Sequence, residues 1–236
     1  MFNLKRITII IFIISIIFTN LLAKKNKPIA EIRGKRIYKY PFYIFSHKRH
    51  ISYYALSGYM GDVEDIKVLK IRENYSFKTS LKIIYKPTFK NNNLGWVGVF
   101  WQWPPNNWGN KEGGGYDLSK AKYFFFYAKG AKGGELIEFK IGGIKGTYGD
   151  SADISTGIIS LTDKWKLYKI NLKGYNLKNI IAGFGFLIQA ALNPEGCTFY
   201  LNDIYYSNNN KPEPPFFKGY LDLNKKKYKK KEKSNN

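Results

Sequence analysis

Hydrophobic and polar positions alternate along many short stretches of the chain, which is the pattern of half-buried β-strands. In residues 135–141, Ile137, Phe139 and Ile141 are apolar, whereas Glu138 and Lys140 between them are charged. Because successive side chains of a strand point to opposite faces, the apolar set is predicted to face a core. The same alternation predicts inward-facing sets at Val97, Val99 and Trp101, at Phe124, Phe126 and Ala128, at Tyr168, Ile170 and Leu172, and at Phe184, Phe186 and Ile188.

Strand-like stretches account for most of the chain between its two ends. They cover residues 37–45, 66–71, 79–85, 94–103, 123–129, 135–141, 157–161, 165–172, 183–189 and 198–206. Turn-forming Gly, Asn and Pro separate most of them, and no helix is expected beyond one short turn at 176–180. No repeat is visible. The pattern predicts an all-β fold, a single antiparallel β-sandwich.

The two ends of the chain differ in character from the middle. Residues 1–23 resemble a signal peptide, with Lys5 and Arg6 before an apolar stretch and Ala23 at a plausible cleavage point. An uncleaved membrane anchor is the alternative, although the apolar stretch is shorter than the roughly 20 residues of a membrane span. Both alternatives predict export, to the periplasm, the cell surface or the medium, and cleavage would leave no transmembrane segment in the mature chain.

The sequence predicts four segments. These are a signal peptide (1–23), an N-terminal lead-in that adds an outer strand (24–60), a β-sandwich domain (61–207), and a Pro-containing linker with a disordered Lys-rich tail (208–236). The tail is interpreted as a solvated end, with a contact to an anionic envelope polymer as the alternative.

The composition narrows the classes of function. The chain has 39 Lys and Arg against 17 Asp and Glu, a net charge of +22, but only 5 of its basic residues are Arg. Nucleic-acid readers use the planar fork of Arg, so the charge predicts attraction to anionic surfaces and no nucleic-acid partner. The single cysteine, Cys197, excludes an internal disulfide and a multi-cysteine metal site.

The polar side of the strands suggests a ligand-binding surface. It combines glycines with aromatic, amide and charged residues, which suits a sugar whose C–H face packs on a ring while its hydroxyls form hydrogen bonds. The predicted ligand-binding residues are Phe100, Gln102, Tyr127, Glu138, Lys140 and Gln189, with Trp103 and Trp108 at the rim. The alternative is that these aromatics are buried by a second layer or by the N-terminal segment.

Four motifs resemble secreted carbohydrate-binding modules with a jelly-roll fold, in the galactose-binding-like superfamily. TFYLNDIYY at 198–206 is similar to their closing strand, and DKWKLYKINL at 163–172 to the strand upstream. YFFFYAKG at 123–130 and GYDLS at 115–119 follow the same pattern in the same order. The resemblance covers about residues 55–207 and implies a jelly roll that binds carbohydrate.

The resemblance also implies a structural Ca²⁺, which such modules often hold near the first and last strands. The matching positions are Asp203 together with Asp62 or Asp65. The chain departs from the pattern at Asn202, where the family has an acid. An oxygen ligand remains there, but one negative charge is lost, which weakens a calcium site.

The expected function is therefore a non-catalytic, exported glycan-binding module for an oligo- or polysaccharide. Glycosidases need two carboxylates at a defined separation, and Glu135 and Glu138 lie on opposite faces of one strand. A cross-strand partner for Glu138 remains open, so a glycoside hydrolase is a further alternative. The other alternative is an envelope structural or interaction protein that keeps the fold without binding sugar.

Overall fold

The computed structural model describes residues 30–32, 35–46, 52–72, 79–89 and 93–213. Apart from a 3₁₀ turn at Val63–Asp65, the regular elements in these ranges are strands. They are β1 Ala30–Ile32, β2 Lys35–Ile37, β3 Phe42–Phe45, β4 Ala55–Gly61, β5 Ile66–Ile71, β6 Ser80–Tyr85, β7 Trp96–Gln102, β8 Tyr123–Gly130, β9 Leu136–Gly142, β10 Asp153–Ser160, β11 Lys166–Asn171, β12 Ala182–Gln189 and β13 Cys197–Ser207. The predicted signal peptide and residues 214–236 of the predicted tail lie outside these ranges.

Two antiparallel sheets form a sandwich. The five-stranded sheet has the order β10-β9-β12-β7-β4. The six-stranded sheet has the order β11-β8-β13-β6-β5, and β3 pairs beside β6 on the same edge of β13. β1 and β2 form a separate hairpin-like pair. Non-consecutive neighbours in both sheets confirm the predicted antiparallel jelly roll.

The core between the sheets consists of the side chains that alternation assigned to it. Ile137, Phe139 and Ile141 of β9 are completely buried, and Phe126 lies 4.7 Å from Phe139 between ring centroids. The remaining predicted inward sets belong to the same cluster, with Tyr168 and Ile170 at its half-buried edge. Burying one large apolar side chain contributes about 1.5–3 kcal/mol, so this cluster accounts for the cohesion of the two sheets.

Two tyrosines form hydrogen bonds at one end of the core, and that of Tyr206 links β13 to β12 across the two sheets. Tyr54 Oη donates to the Ile180 carbonyl at 2.7 Å, and Tyr206 Oη donates to the Gly183 carbonyl at 2.7 Å. The Gly183 position belongs to a bulge in the β12–β7 ladder, where a Cβ would collide with the Tyr54 ring. Gly183 therefore does not lie on the outer face, where its position next to the inward-facing Phe184 would place it.

Some predicted elements differ from the observed ones. β4 was not predicted, because its sequence ALSGYMG contains two glycines and no clear alternation. The predicted strand at 37–45 begins at Phe42, after Pro41, which has no amide hydrogen for a ladder. The predicted turn of helix at 176–180 is absent, and this described segment carries only an isolated bridge between Ile180 and Tyr116. Within the described ranges, no helix has the length and apolarity needed to cross a membrane.

Candidate functional site

The outer face of the five-stranded sheet presents side chains in lateral rows set by the strand register. The first row consists of Ser155, Lys140, Gly185, Phe100 and Gly58. The neighbouring row consists of Ile158, Glu138, Leu187, Gly98 and Met60. Each row thus combines a charged side chain, one or more apolar side chains and at least one glycine.

Glycines determine the depth of this face. A Cβ at Gly185 would collide with the Phe100 ring, so the ring lies directly over the Gly185 backbone. A Cβ at Gly98 would lie 2.9 Å from Met60 Cγ and 3.0 Å from Leu187 Cδ2. Because glycine has no side chain, these neighbours pack down onto the sheet and form a low apolar floor.

A groove of about 340 Å³ lies over this floor. It is lined by Met60, Phe100, Trp108, Lys140, Gly142, Gly143, Ile144, Lys145 and Leu187. Its volume falls near the lower end of the roughly 300–1,000 Å³ typical of small-molecule sites. The lining joins apolar surface to two lysine ammonium groups, so it offers both packing surface and hydrogen-bond donors.

The loop at 103–116 forms one wall and places Trp108 at the rim. Gln102 Nε2 donates to the Asn107 carbonyl at 3.0 Å, and Asn107 Oδ1 accepts from Gly109 N at 3.0 Å. Asn107 Nδ2 also donates to the Trp103 carbonyl at 3.3 Å. These bonds satisfy the buried Asn107 side chain and hold the loop over the end of β7, while Trp108 remains 37% exposed.

The loop at 143–152 forms the other wall and is anchored by Asp150. Its Oδ2 accepts from Ile144 N at 2.9 Å, and its Oδ1 accepts from Ile181 N at 2.6 Å and Ala182 N at 3.1 Å. Burial raises the pKa of Asp150 to about 6, although these three hydrogen bonds act in the opposite direction. Ile144, Ile181 and Ala182 pack with Phe100 in one cluster, so the carboxylate fixes the groove wall.

The two walls are joined to each other. Tyr148 N donates to the Gly109 carbonyl at 2.9 Å. Gly109 has a φ of +85°, and a Cβ there would collide with the Lys145 carbonyl. Only glycine combines this backbone conformation with such a close approach, so the loops close one end of the groove as a unit.

Polar groups in and beside the groove are arranged in pairs. Lys140 Nζ forms an ion pair with Asp153 Oδ1 at 2.9 Å. Ser155 Oγ donates to Glu138 Oε1 at 2.6 Å. The pairs leave further lone pairs on the carboxylates and further N–H donors on Lys140, which can serve the hydroxyl groups of a ligand.

Five of the predicted binding residues lie on this face. Phe100, Trp108 and Lys140 line the groove, and Glu138 adjoins it in the row of Leu187. Gln189 is exposed one row further along, opposite Trp96. Their role in binding stays a prediction.

The structure corrects the placement of Gln102 and Trp103. Gln102 is completely buried, because its Nε2 bonds to Asn107 and its Oε1 accepts from Ser57 Oγ at 3.0 Å. Trp103 packs against the main core and stacks on Tyr116 with ring centroids 5.9 Å apart. The prediction that Gln102 contacts a ligand is therefore wrong, because its amide supports the loop that carries Trp108. Trp103 is half-buried, and its contact with a ligand stays a prediction.

The placement of Tyr127 is also wrong. Tyr127 belongs to β8 of the six-stranded sheet, opposite Asn202 of β13, and is 1% exposed. Alternation correctly predicts that Tyr127 points away from the core. Because β8 belongs to the six-stranded sheet, however, its outer side lies on the opposite face of the sandwich from the groove. Phe125 and Tyr205, whose rings stack 5.4 Å apart, accompany it on that side.

Sequence patterns missed several residues that line the groove. Met60 lies on the unpredicted strand β4, and Ile144 and Lys145 lie in a loop. Leu187 lies between the inward-facing Phe186 and Ile188, which places it on the outer face, but it was not predicted as a site residue. The only available signal was the glycine-rich context of these positions, which marks close backbone approach without saying what approaches.

The three acids implied as calcium ligands do not come together. Asp62 accepts hydrogen bonds from Leu94 N and Gly95 N, and Asp65 accepts from Thr88. Asp65 precedes Ile66, which pairs with Tyr85, and Tyr85 pairs in turn with Cys197 of β13. Asp203 lies six residues beyond Cys197 along β13, which corresponds to about 20 Å between this row and Asp203. In the part of the chain that the structure describes, no group of three or more His, Cys, Asp or Glu could hold a metal ion. Calcium binding stays a prediction that these residues do not support.

Comparisons with known proteins identify the fold. No family model matches the chain, and no curated protein matches it. Among solved structures, the crystal structure of a family 30 carbohydrate-binding module is 17% identical, with a TM-score of 0.51 over 76% of this chain and 94% of that chain.

Two further structures show the same likeness at lower scores. A family 30 carbohydrate-binding module of a cellulosomal cellulase of Clostridium thermocellum is 16% identical, with a TM-score of 0.49 over 72% of this chain and 98% of that chain. An exo-beta-agarase is 11% identical, with a TM-score of 0.47 over 74% of this chain and 25% of that chain. Identity at this level bears on the fold alone. The chain is an all-β jelly roll like those of carbohydrate-binding modules.

Proposed function

We propose that the chain is an exported, non-catalytic module that binds a glycan in the groove of the five-stranded sheet. The observation that carries this proposal is the groove itself, an apolar floor with an exposed tryptophan and charged hydrogen-bonding groups beside it. The fold shared with a family 30 carbohydrate-binding module supports the same class of ligand. An envelope protein without sugar binding would not need an open groove of this composition.

The groove suits a short stretch of a sugar chain. The exposed face of Trp108 can pack on the C–H face of a pyranose ring, because that face is apolar. Lys140 and Lys145 can donate to ring hydroxyls, and Asp153 can accept from them. Both walls are fixed, one by buried Asn107 and the other by half-buried Asp150, so little ordering of the protein opposes binding.

The carboxylates near the groove support binding without hydrolysis. Asp153 is paired with Lys140, and Glu138 accepts from Ser155. Asp150 has a raised pKa, but both of its oxygens face backbone N–H groups of the fold. A glycosidase would need one carboxyl to protonate the leaving oxygen and another to attack or activate water.

Export rests on the pattern of residues 1–23, with a basic start, an apolar stretch and Ala23 before two lysines. Intact mass measurement of the protein recovered outside the cytoplasm should give a chain that starts at Lys24. A chain that retains residues 1–23 in the membrane fraction would support the uncleaved anchor instead.

A glycan array followed by calorimetry on the best ligand tests the proposed function. The Trp108→Ala variant should lose about 1–3 kcal/mol of binding free energy, the apolar contribution of one large side chain. Phe89→Ala is the matched control, because Phe89 is 63% exposed in the loop between β6 and β7. Equal losses in both variants, or no glycan bound by the wild type, would contradict the proposal. Release of reducing ends from the bound glycan would make the chain a hydrolase.

A further inference from the structure

The six-stranded sheet carries a second surface, on the opposite side of the sandwich from the groove. A lateral row crosses its outer face through Lys129 of β8, Tyr200 of β13, Lys82 of β6 and Leu69 of β5, which are register partners. Trp165, just before β11, joins this row at its other end, with its ring 6.5 Å from that of Tyr200.

Lysine and aromatic side chains are interleaved in this row. Lys129 Nζ lies 5.2 Å from the Trp165 ring centroid and 4.7 Å from the Tyr200 ring centroid. Such cation–π contacts hold the ammonium group over the rings without neutralising its charge. The row therefore presents half-buried ring surface and positive charge together.

A cavity of about 420 Å³ adjoins the row at the end of the sandwich. Its lining includes Ile84 and Thr198, each two residues along its strand from Lys82 and Tyr200, and hence about 7 Å away on the same face. The lining also includes the exposed side chain of Lys132. Cavity and row form one continuous surface, which we name the lysine–aromatic face (Lys82, Lys86, Lys129, Lys132, Trp165 and Tyr200).

The charges of this face are unbalanced. The cavity lining has two acids, Glu195 and Glu135, and Glu135 is buried with its Oε1 bonded to Lys132 N at 2.9 Å. None of the four lysines of the face forms an ion pair within the described ranges. The groove differs in this respect, because Lys140 is paired there with Asp153.

We propose that the lysine–aromatic face is a second binding site, for a polysaccharide whose sugars carry carboxylate groups. The rings of Trp165 and Tyr200 match the apolar faces of sugar rings, and the lysines, which have no ion pair among the described residues, match carboxylates at intervals along the polysaccharide. A neutral glycan would leave the lysines without partners, and a polyphosphate would make no use of the rings. The site is independent of the groove, since it lies on the other sheet.

Polygalacturonate is the probe, and the full chain is the protein. The triple variant Lys82→Ala, Lys129→Ala, Lys132→Ala should bind polygalacturonate about tenfold more weakly, because each exposed ion pair contributes roughly 0.2–1 kcal/mol and about 1.4 kcal/mol is tenfold. The matched control replaces exposed Lys120, Lys173 and Lys178 by Ala, in loops at the other end of the sandwich. The control removes the same charge and should keep nearly the wild-type affinity.

A second variant separates ring recognition from charge. Tyr200→Val removes a ring while keeping a strand-forming residue, and it should weaken polygalacturonate binding about fivefold and leave inorganic polyphosphate binding unchanged. Far-UV circular dichroism and the melting temperature verify that each variant is folded. Equal losses in the two triple variants, or equal effects of Tyr200→Val on both polymers, would overturn the proposal in favour of unspecific charge attraction. Neutral glycan binding in the groove should be unaffected throughout, so the two sites can fail separately.

Discussion

Replacing Asp150 by Asn removes a titratable group from the groove wall while nearly preserving its shape. The folded-state pKa of Asp150 is raised from 3.8 to about 6, because burial outweighs the three backbone N–H groups that favour the carboxylate. The folded state therefore holds the proton more tightly than the unfolded state does. The stabilising contribution of this group is complete below the unfolded pKa and is lost as the pH rises through the folded pKa.

The size of the effect follows from the shift. A difference of about 2 pKa units corresponds to about 3 kcal/mol, of which about 2 kcal/mol is lost between about pH 4 and pH 7. The Asn variant does not titrate at this position, so the titration of Asp150 dominates the pH dependence of the difference between the two proteins. The free energy of unfolding of the wild type minus that of the variant should therefore decrease by about 2 kcal/mol over this range.

Urea denaturation followed by tryptophan fluorescence, at several pH values across that range, measures this difference. The denaturant slope should be the same in both proteins, so that the midpoints report stability alone. A difference that increases with pH would show that the bonds from Ile144, Ile181 and Ala182 outweigh burial. A difference independent of pH would refute the inference that the carboxyl is desolvated.

Four further changes separate structural from binding residues. Trp103→Ala should lower the free energy of unfolding by about 3–5 kcal/mol in a denaturation experiment, because its ring packs on the core. Tyr127→Ala should destabilise by a similar amount with unchanged groove affinity, and weaker binding at full stability would contradict its placement. Gly185→Val should displace the Phe100 ring, at a cost of about 1–3 kcal/mol, and weaken glycan binding in calorimetry. Deleting residues 224–236 should leave neutral glycan affinity within about twofold, since salt and tail charge act little on apolar contacts.

The core could be predicted from the sequence because strand periodicity is a local property. Phe124 and Phe126 alternate with Phe125 and Tyr127, and the structure buries the first pair between the sheets as predicted. All four rings are buried, however, since the outer pair is also covered. Alternation states which side of a strand faces the core, but not how exposed the other side is.

The candidate site was less predictable because it depends on contacts distant in sequence. Gln102 lies on the strand face that was predicted to contact a ligand. The loop that follows it folds back, however, and the Gln102 amide donates to the Asn107 carbonyl. Ile144 is held at the groove by a hydrogen bond from its backbone N–H to Asp150, and no strand pattern predicts this contact. Tyr127 was placed on the wrong side because sheet membership depends on strand pairing and not on any one strand.

Backbone ¹⁵N–¹H spectra, titrated with the neutral oligosaccharide that binds best on the array, test whether the groove is the glycan site. Chemical-shift changes should saturate at amides of the groove, such as Phe100, Lys140 and Leu187, and at the indole N–H of Trp108. The amide signals of β8 and β11 should keep their chemical shifts. Chemical-shift changes confined to the six-stranded sheet, or groove amides whose chemical shifts are unchanged at saturation, would contradict the assignment of the groove as the glycan site.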